Sequence, residues 1–112
     1  MDSKEKVLYI ASLAAEKKAL GVVILDIKKL SSIADYIVIC HGTSNRQVQA
    51  ITESIGQELK KKRIVPIGTE GTSEGRWALL DYEDIIVHIF FEPVRGFYDL
   101  DGLWAEAPQL SI

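Results

Sequence analysis

The chain opens with apolar residues at helical spacing. Along one face of this pattern lie Val7, Ile10, Ala11 and Ala14. Asp2 and Glu5 have the spacing of a helix N-cap and its reciprocal partner. The pattern predicts a first helix from Asp2 to about Ala19, and Gly21 is placed to end it.

Two apolar, β-branched runs follow, Gly21 to Ile27 and Asp35 to Cys40, and each predicts a strand. Ser44 and Gln47 then have capping-box spacing, which predicts the start of a long helix. The apolar stripe that would pack this helix on a sheet consists of Val48, Ile51, Ile55 and Leu59. The basic run Lys60 to Arg63 complements the dipole at the helix end.

The C-terminal half predicts three more strands. Ile64 to Ile67 predicts a short one, and the glycine-containing run Gly68 to Gly75 predicts a flexible connection. That run lacks the Gly-Lys-Ser/Thr of a phosphate loop, and its glutamates would repel an anion. Arg76 to Tyr82 and Ile85 to Phe91 predict a hairpin whose turn lies at Glu83-Asp84.

The hairpin register decides which side chains share a face of the sheet. A turn at these two residues places Trp77 opposite Phe90, and it also places Leu79 opposite His88. The face better suited to a core carries Ala78, Leu80, Ile85, Val87, Ile89 and Phe91. The other face, which would expose rings beside polar groups, carries Trp77, Leu79, Asp81, Ile86, His88 and Phe90. A slip of one residue would exchange the two sets.

The last segment completes the predicted fold. After Pro93, Val94 to Trp104 predicts a short terminal helix, and Pro108 disfavours a helix beyond it. The order of elements is then helix, two strands, helix, three strands and helix, without a repeat or a linker. This order predicts a single α/β domain over residues 1–112, with helices packed on a mixed sheet of about five strands.

Composition is ordinary for a globular domain, with 47% apolar and 26% charged residues, which argues against disorder. The longest apolar stretches, Gly21 to Leu25 and Ile85 to Phe91, fall short of the roughly 18 residues a membrane helix needs. The N-terminus resembles neither a signal nor a transit peptide, so we expect a cytoplasmic protein. Cys40 is the single cysteine and cannot form an internal disulfide.

Acidic and aromatic residues coincide in the second half of the chain. Counting charged residues gives +4 for residues 1–63 and −7 for residues 64–112, which together make the net charge of −3. Most of the aromatic residues lie in that acidic half, namely Trp77, Tyr82, Phe90, Phe91, Phe97, Tyr98 and Trp104. Such a surface repels phosphate backbones and attracts basic proteins, although core packing is the alternative for each ring.

The residues that could carry chemistry are few. The two histidines, His41 and His88, have no closely spaced ligand set around them, so no metal is predicted. Cys40 could pair with His88 as nucleophile and base, but a buried thiol is the better interpretation. The turn Gly42-Thr43-Ser44 at a helix start is typical of nucleotidyltransferases, yet no Asp-x-Asp follows at the proper distance to hold a metal.

A set of motifs in a fixed order points to a family. It comprises Asp35-Tyr36, Gly42 to Val48, Glu70-Gly71, Trp77, Asp81 to Asp84, Val87 to Phe90, Arg95 to Leu100 and Trp104. In these motifs the chain resembles the ribosomal silencing factor family, also called RsfS or Iojap-like. The resemblance covers nearly all of the chain.

This resemblance implies a nucleotidyltransferase-like fold without the catalytic carboxylates, and therefore neither enzyme activity nor a cofactor. It implies binding to the large ribosomal subunit through its fourteenth ribosomal protein, which would block joining of the small subunit and repress translation. Family positions associated with that contact match Trp77, Tyr82 and Tyr98. Acidic residues that can face Lys or Arg on the partner are Asp81, Glu83, Asp84, Glu92 and Asp99. Arg95 completes the predicted contact set.

Three alternatives remain open from sequence. A minimal nucleotidyltransferase would use the Gly42 to Ser44 turn. Direct RNA binding would use Lys60 to Arg63, and we expect no sequence-specific contact with nucleic acid from this short run. Exposed rings could also pair two copies into a homodimer when no ribosome is present.

Overall fold

Six strands form one mixed sheet in the computed structural model, which describes residues 1–112. The strands are β1 (Leu20–Asp26), β2 (Tyr36–Gly42), β3 (Gly68–Glu70), β4 (Trp77–Asp81), β5 (Ile85–Phe91) and β6 (Gln109–Leu110). They lie in the order β3-β4-β5-β2-β1-β6. Only β2 and β5 pair in parallel, and the other neighbours are antiparallel. The α/β fold with a mixed sheet is thus confirmed, with one strand more than expected.

Four helices accompany the sheet: α1 (Ser3–Glu16), α2 (Asn45–Lys61), α3 (Glu92–Tyr98) and α4 (Leu100–Leu103). Both long helices begin where the capping residues predict. The Asp2 carboxylate accepts a hydrogen bond from the Glu5 amide at 2.8 Å, and the Ser44 hydroxyl accepts one from the Gln47 amide at 3.0 Å. None of the helices has the length and apolar content needed to cross a membrane.

The larger core lies between one face of the sheet and the two long helices. The predicted stripe of α2 is fully buried there, and α1 contributes Val7, Ile10, Ala11, Leu13 and Ala14. From the hairpin, the buried members are Ala78, Leu80, Tyr82, Ile85, Val87 and Ile89. The face that the sequence favours as core is therefore the one that α1 and α2 cover.

A smaller core lies on the opposite face of the sheet, under α3, α4 and the terminal segment. Its buried members are Leu25, Ile27, Ala34, Ile37, Ile39, Phe90, Val94 and Ala107. Phe90 is completely buried there, whereas the sequence predicts an exposed ring on this face. The ring is covered because α3 lies against β5. These two short helices are too small to cover the whole face.

The hairpin has the predicted register, with Trp77 opposite Phe90 and Leu79 opposite His88. Its turn is closed by a hydrogen bond from the Tyr82 amide to the Ile85 carbonyl at 2.9 Å. Glu83 adopts a positive φ of 74°, and its amide donates to the Asp81 carboxylate at 2.8 Å. These contacts prevent a slip of one residue and keep Trp77 on the less covered face.

The end of α1 differs from the prediction. The helix ends at Glu16 because Lys18 adopts a left-handed φ of 63°, which lets the Ala19 amide bond to the Ala14 carbonyl at 3.0 Å. Gly21 therefore lies inside β1, where the pairing with β2 shifts register. Its positive φ of 57° and the close approach of the Arg95 guanidinium explain why a glycine stands there.

The predicted strand at Ile64 to Ile67 is wrong, and the strand begins at Gly68 within the presumed flexible connection. Pro66 has no amide hydrogen, and the first pairing bond is from the Ile67 amide to the Asp81 carbonyl at 2.7 Å. The apolar side chains of Val65 and Ile67 are exposed. Apolar character at these two positions therefore does not reflect burial, whereas Ile64 packs against the larger core.

The predicted terminal helix is divided in two. Asp99 takes a left-handed φ of 48° and ends α3, and its carboxylate accepts a bond from the Gly102 amide at 3.1 Å to begin α4. Beyond Pro108, two residues form β6 and pair with β1. A strand of two residues has no sequence pattern of its own, so the sequence does not predict this sixth strand.

Candidate partner-binding surface

An aromatic cluster formed by Trp77, His88, Phe90 and Tyr98 lies on the less covered face of the sheet. Ring centroids are 5.0 Å apart for Trp77 and Phe90, and 4.6 Å apart for Trp77 and Tyr98. Phe90 forms the buried floor, Trp77 is partly exposed, and Tyr98 is 51% exposed. The arrangement brings the two rings predicted to meet a partner into direct contact with each other.

His88 is bonded to this cluster rather than to a catalytic group. Its Nδ1 accepts a hydrogen bond from the Trp77 indole nitrogen at 3.0 Å. Burial lowers the pKa of His88 to about 4, so the ring is neutral near pH 7 and carries its proton on Nε2. The indole N–H of Trp77 is therefore satisfied within the protein.

The cluster continues into an exposed apolar ridge on α3 and α4. Phe97 is 81% exposed, and Leu103 on α4 is also exposed. Beside Phe97 lies a groove of about 310 Å³ lined by Arg76, Phe91, Pro93, Val94, Phe97 and Tyr98. Several exposed apolar side chains next to a shallow groove are typical of a surface that binds another protein.

Arg95 lies in an internal network that fixes α3 to the sheet. Its Nη1 donates to the Gly21 carbonyl at 2.7 Å and to His41 Nδ1 at 2.9 Å. Nε and Nη2 donate to the Asp101 carboxylate at 3.2 and 2.8 Å, and these bonds hold the pKa of Asp101 below its usual range. The side chain of Arg95 is only 14% exposed, so its guanidinium serves the fold.

Glu92 lies at the start of α3, next to the same network. Its carboxylate is 3.1 Å from His41 Nε2, and its side chain is exposed. Since a guanidinium only donates, His41 Nδ1 accepts from Arg95, and Nε2 faces Glu92. Because its carboxylate is exposed, Glu92 can also pair with a cation on a partner, whereas the Arg95 guanidinium is held by its internal bonds.

Two further predicted contact residues have internal partners. The Asp84 carboxylate pairs with Lys6 of α1 at 2.9 Å, and the Asp81 carboxylate closes the hairpin turn. Both lie at the turn end of the hairpin. The aromatic cluster lies at the other end, around the Trp77–Phe90 pair.

Tyr82, which is also in the predicted contact set, lies away from the aromatic cluster. Its side chain is 5% exposed and belongs to the larger core, on the face of the sheet opposite Trp77. Burial raises the pKa of Tyr82 to about 12, and its hydroxyl has no hydrogen-bond partner in the protein. A ring in this position is not available to a partner while the protein is folded.

Phe97 is an exposed residue that the sequence-derived contact set leaves out. The sequence does indicate that one of two neighbouring helix rings is exposed, because consecutive residues of a helix point about 100° apart. Phe97 and Tyr98 therefore cannot both pack on the sheet beneath α3. No comparable signal marks the network of His41 and Asp101, which comes together only through the fold.

The alternative chemistries find little support in this geometry. Cys40 lies in the larger core, where burial raises the pKa of its thiol to about 12, and His88 belongs to the aromatic cluster on the other face. At the Gly42 to Ser44 turn, the Thr43 amide already donates to the Gln47 side chain at 2.7 Å. No group of three or more His, Cys, Asp or Glu side chains is close enough to hold a metal ion.

Comparison with known proteins identifies the family. A family model described as "Ribosomal silencing factor during starvation" matches residues 1–112. The chain is 39% identical over 111 residues to a Bacillus subtilis protein named ribosomal silencing factor RsfS, which covers 98% of this chain and 94% of that protein. This chain belongs to the ribosomal silencing factor family.

Solved structures of similar proteins share the fold. A crystal structure from Chromobacterium violaceum superimposes with a TM-score of 0.91 at 32% identity, covering 94% of this chain and 88% of that chain. A crystal structure from Bacillus halodurans gives 0.84 at 35% identity, covering 96% and 99%. Membership of the ribosomal silencing factor family implies association with the ribosome and a role in regulating translation.

Proposed function

We propose that this protein acts in the cytoplasm by binding the large ribosomal subunit through its fourteenth ribosomal protein. Bound there, it blocks joining of the small subunit and represses translation. The proposal rests on family membership and above all on one observation, the aromatic cluster exposed on the less covered face of the sheet. The protein acts by occupying a surface, without catalysis and without a cofactor.

The chemistry of this surface suits a basic protein. Trp77 and Tyr98 are rigid rings that bury a large area at a low cost in side-chain entropy, as interface hot spots commonly do. Glu92 and Asp99 are exposed acids on and beside α3. Lys and Arg side chains of a ribosomal protein can pair with these carboxylates, whereas RNA phosphates would be repelled.

The size of the protein suits a steric mechanism. Its extents are 34 × 33 × 23 Å, so a bound copy adds a layer at least 23 Å thick to the surface it covers. A small subunit whose contact surface lies beneath that layer cannot reach it. Repression then requires only that the silencing protein remains bound.

The proposal is tested by co-sedimentation with isolated large subunits. Trp77→Ala and Tyr98→Ala should each weaken binding by about tenfold or more, the typical effect of truncating a hot-spot ring. Tyr9→Ala is the matched control, since it truncates a ring on α1, which packs on the opposite face of the sheet. Circular dichroism checks that each variant is folded.

Two results would count against this function. Wild-type protein that fails to sediment with large subunits at micromolar concentration would remove its basis. Equal binding by wild-type, Trp77→Ala and Tyr98→Ala proteins would separate ribosome binding from the aromatic cluster. Binding to naked ribosomal RNA that falls steeply with salt would favour a contact through Lys60 to Arg63 instead.

A further inference from the structure

His88 has a place in the fold that core packing alone does not explain. It lies in the middle of β5, opposite Leu79 of β4 and Ile39 of β2, and it is 9% exposed. An imidazole buried between two strands costs free energy unless it has hydrogen-bond partners. Within the protein its side chain makes one hydrogen bond, the bond that it accepts from Trp77.

This hydrogen bond fixes the orientation of the Trp77 indole, which ring packing alone does not determine. The indole of Trp77 stacks on Phe90 with an interplanar angle of 30°, and Tyr98 lies against it at 45°. Stacking fixes the plane of a ring but allows it to turn over, since the torsion next to an aromatic ring has broad minima. A directional N–H to Nδ1 bond permits only one of these orientations.

We propose that His88 is a positioning residue for partner binding, which holds the Trp77 indole in the orientation that the ribosome contact uses. The inference rests on the proposed function, because it concerns the same surface. It also specifies the chemistry of the contact. Since His88 occupies the indole N–H, Trp77 offers a partner its ring carbons, which suit an apolar chain or a cation above the ring.

Neutral imidazole is essential to this role, because Nδ1 accepts a bond only when it carries no proton. The rings around His88 favour that state. The ring centroids of Trp77 and Phe90 are 5.9 and 6.2 Å from that of His88. Such apolar surroundings disfavour a charge on the imidazole. The acceptor is therefore available to the indole at neutral pH.

Three substitutions separate the acceptor from the bulk of the side chain. His88→Asn places an amide oxygen near the position of Nδ1, and His88→Leu fills the space without an acceptor. His88→Gln places its amide nearer the position of Nε2, so it serves as a second variant without the acceptor if the leucine variant fails to fold. All are made together with Trp104→Phe, which leaves Trp77 as the single indole.

The first readout is hydrogen exchange of the Trp77 indole N–H by NMR, which needs no ribosome. We expect slow exchange in the His88 parent and in His88→Asn, and fast exchange in His88→Leu and His88→Gln. The second readout is affinity for large subunits. We expect His88→Asn to bind within about threefold of the parent, and the variants without the acceptor to bind about tenfold more weakly.

The two readouts distinguish the failure of this inference from the failure of the proposed function. Equal affinity of the parent and a folded variant without the acceptor would overturn the positioning role. So would an unprotected indole N–H in the parent protein. Loss of subunit binding by the parent itself would refute the proposed function, while indole exchange would still decide whether His88 holds Trp77.

Discussion

Trp77 begins β4 and Tyr82 follows its last residue, yet their rings have opposite surroundings. Residues alternate between the faces of a strand, so Tyr82 shares its side with Ala78 and Leu80 in the larger core. Trp77 alternates with these residues along the strand, so its side chain lies on the less covered face. Resemblance to the family suggested both rings as contacts, but the alternation in the sequence already separates them.

Tyr82→Phe tests the assignment of this ring to the core. The hydroxyl is buried without a partner, a situation that costs about 1–3 kcal/mol, so we expect the free energy of unfolding to rise by about 1 kcal/mol. Binding to large subunits should not change. Urea unfolding and co-sedimentation measure the two effects, and weaker subunit binding by a stable variant would return Tyr82 to the contact surface.

His88 makes stability depend on pH in a predictable direction. Its pKa is about 4 in the folded protein against about 6.5 when unfolded, so between these values only the unfolded state binds the proton. The stabilisation is fully present above pH 6.5 and is lost as the pH falls toward 4. We expect a loss of up to about 3 kcal/mol relative to His88→Asn, which lacks this titration.

Urea unfolding of both proteins at several pH values between 7 and 4 measures that difference. The carboxylates are common to the two proteins and cancel in the comparison. If the free energies of unfolding of the two proteins change in parallel with pH, His88 does not titrate as its burial requires.

At the scale of elements, Arg95 joins α3 to α4 and to β1. Arg95→Ala removes bonds to Asp101, His41 and the Gly21 carbonyl. We expect it to lower the free energy of unfolding by about 2 kcal/mol, because it leaves polar groups of a partly buried network without partners. Subunit binding should weaken as well, since Tyr98 is on the released helix.

Hydrogen–deuterium exchange locates this effect. Exchange should accelerate in residues 92–104 and stay unchanged in α1 and α2. Lys61→Ala is the control, because the Lys61–Glu58 pair lies on the surface and contributes little. Uniform acceleration over the whole chain would show that Arg95 supports the global fold rather than α3 alone.

Sequence reasoning succeeded for elements that carry their own local signals. Capping residues gave the starts of α1 and α2, and the apolar stripe gave the buried side of α2. The turn at Glu83 gave the hairpin register and thereby the face that carries Trp77. The missed β6 depends on pairing with β1, which is distant in the sequence, and the misplaced β3 depends on its register against β4, which no local pattern encodes.

The same distinction applies to the surface. The approximate place of Trp77 and Tyr98 follows from the motifs, but the 4.6 Å separation of their ring centroids depends on the packing of α3 against the sheet. The hydrogen bond between Trp77 and His88 can be predicted from the sequence, because the predicted register places the two residues on one face of adjacent strands. The internal role of Arg95 cannot be predicted in this way, since its hydrogen-bond partners lie on three separate elements.

The whole molecule is asymmetric, and this asymmetry gives it a surface for a partner. Two long helices bury the larger core on one face of the sheet, whereas the short helices α3 and α4 cover a smaller core on the other. The acidic half of the chain supplies these short helices and the strands that carry the aromatic cluster. A basic partner is thereby directed to the face where exposed rings are found.

A subunit-joining assay decides whether the bound protein keeps the ribosomal subunits apart. Large subunits are incubated with wild-type, Trp77→Ala or Tyr9→Ala protein, small subunits are added, and joined ribosomes are measured on a sucrose gradient. Wild-type and Tyr9→Ala proteins should reduce the joined fraction, and Trp77→Ala should leave it near the level without added protein. Normal joining in the presence of bound wild-type protein would contradict the account.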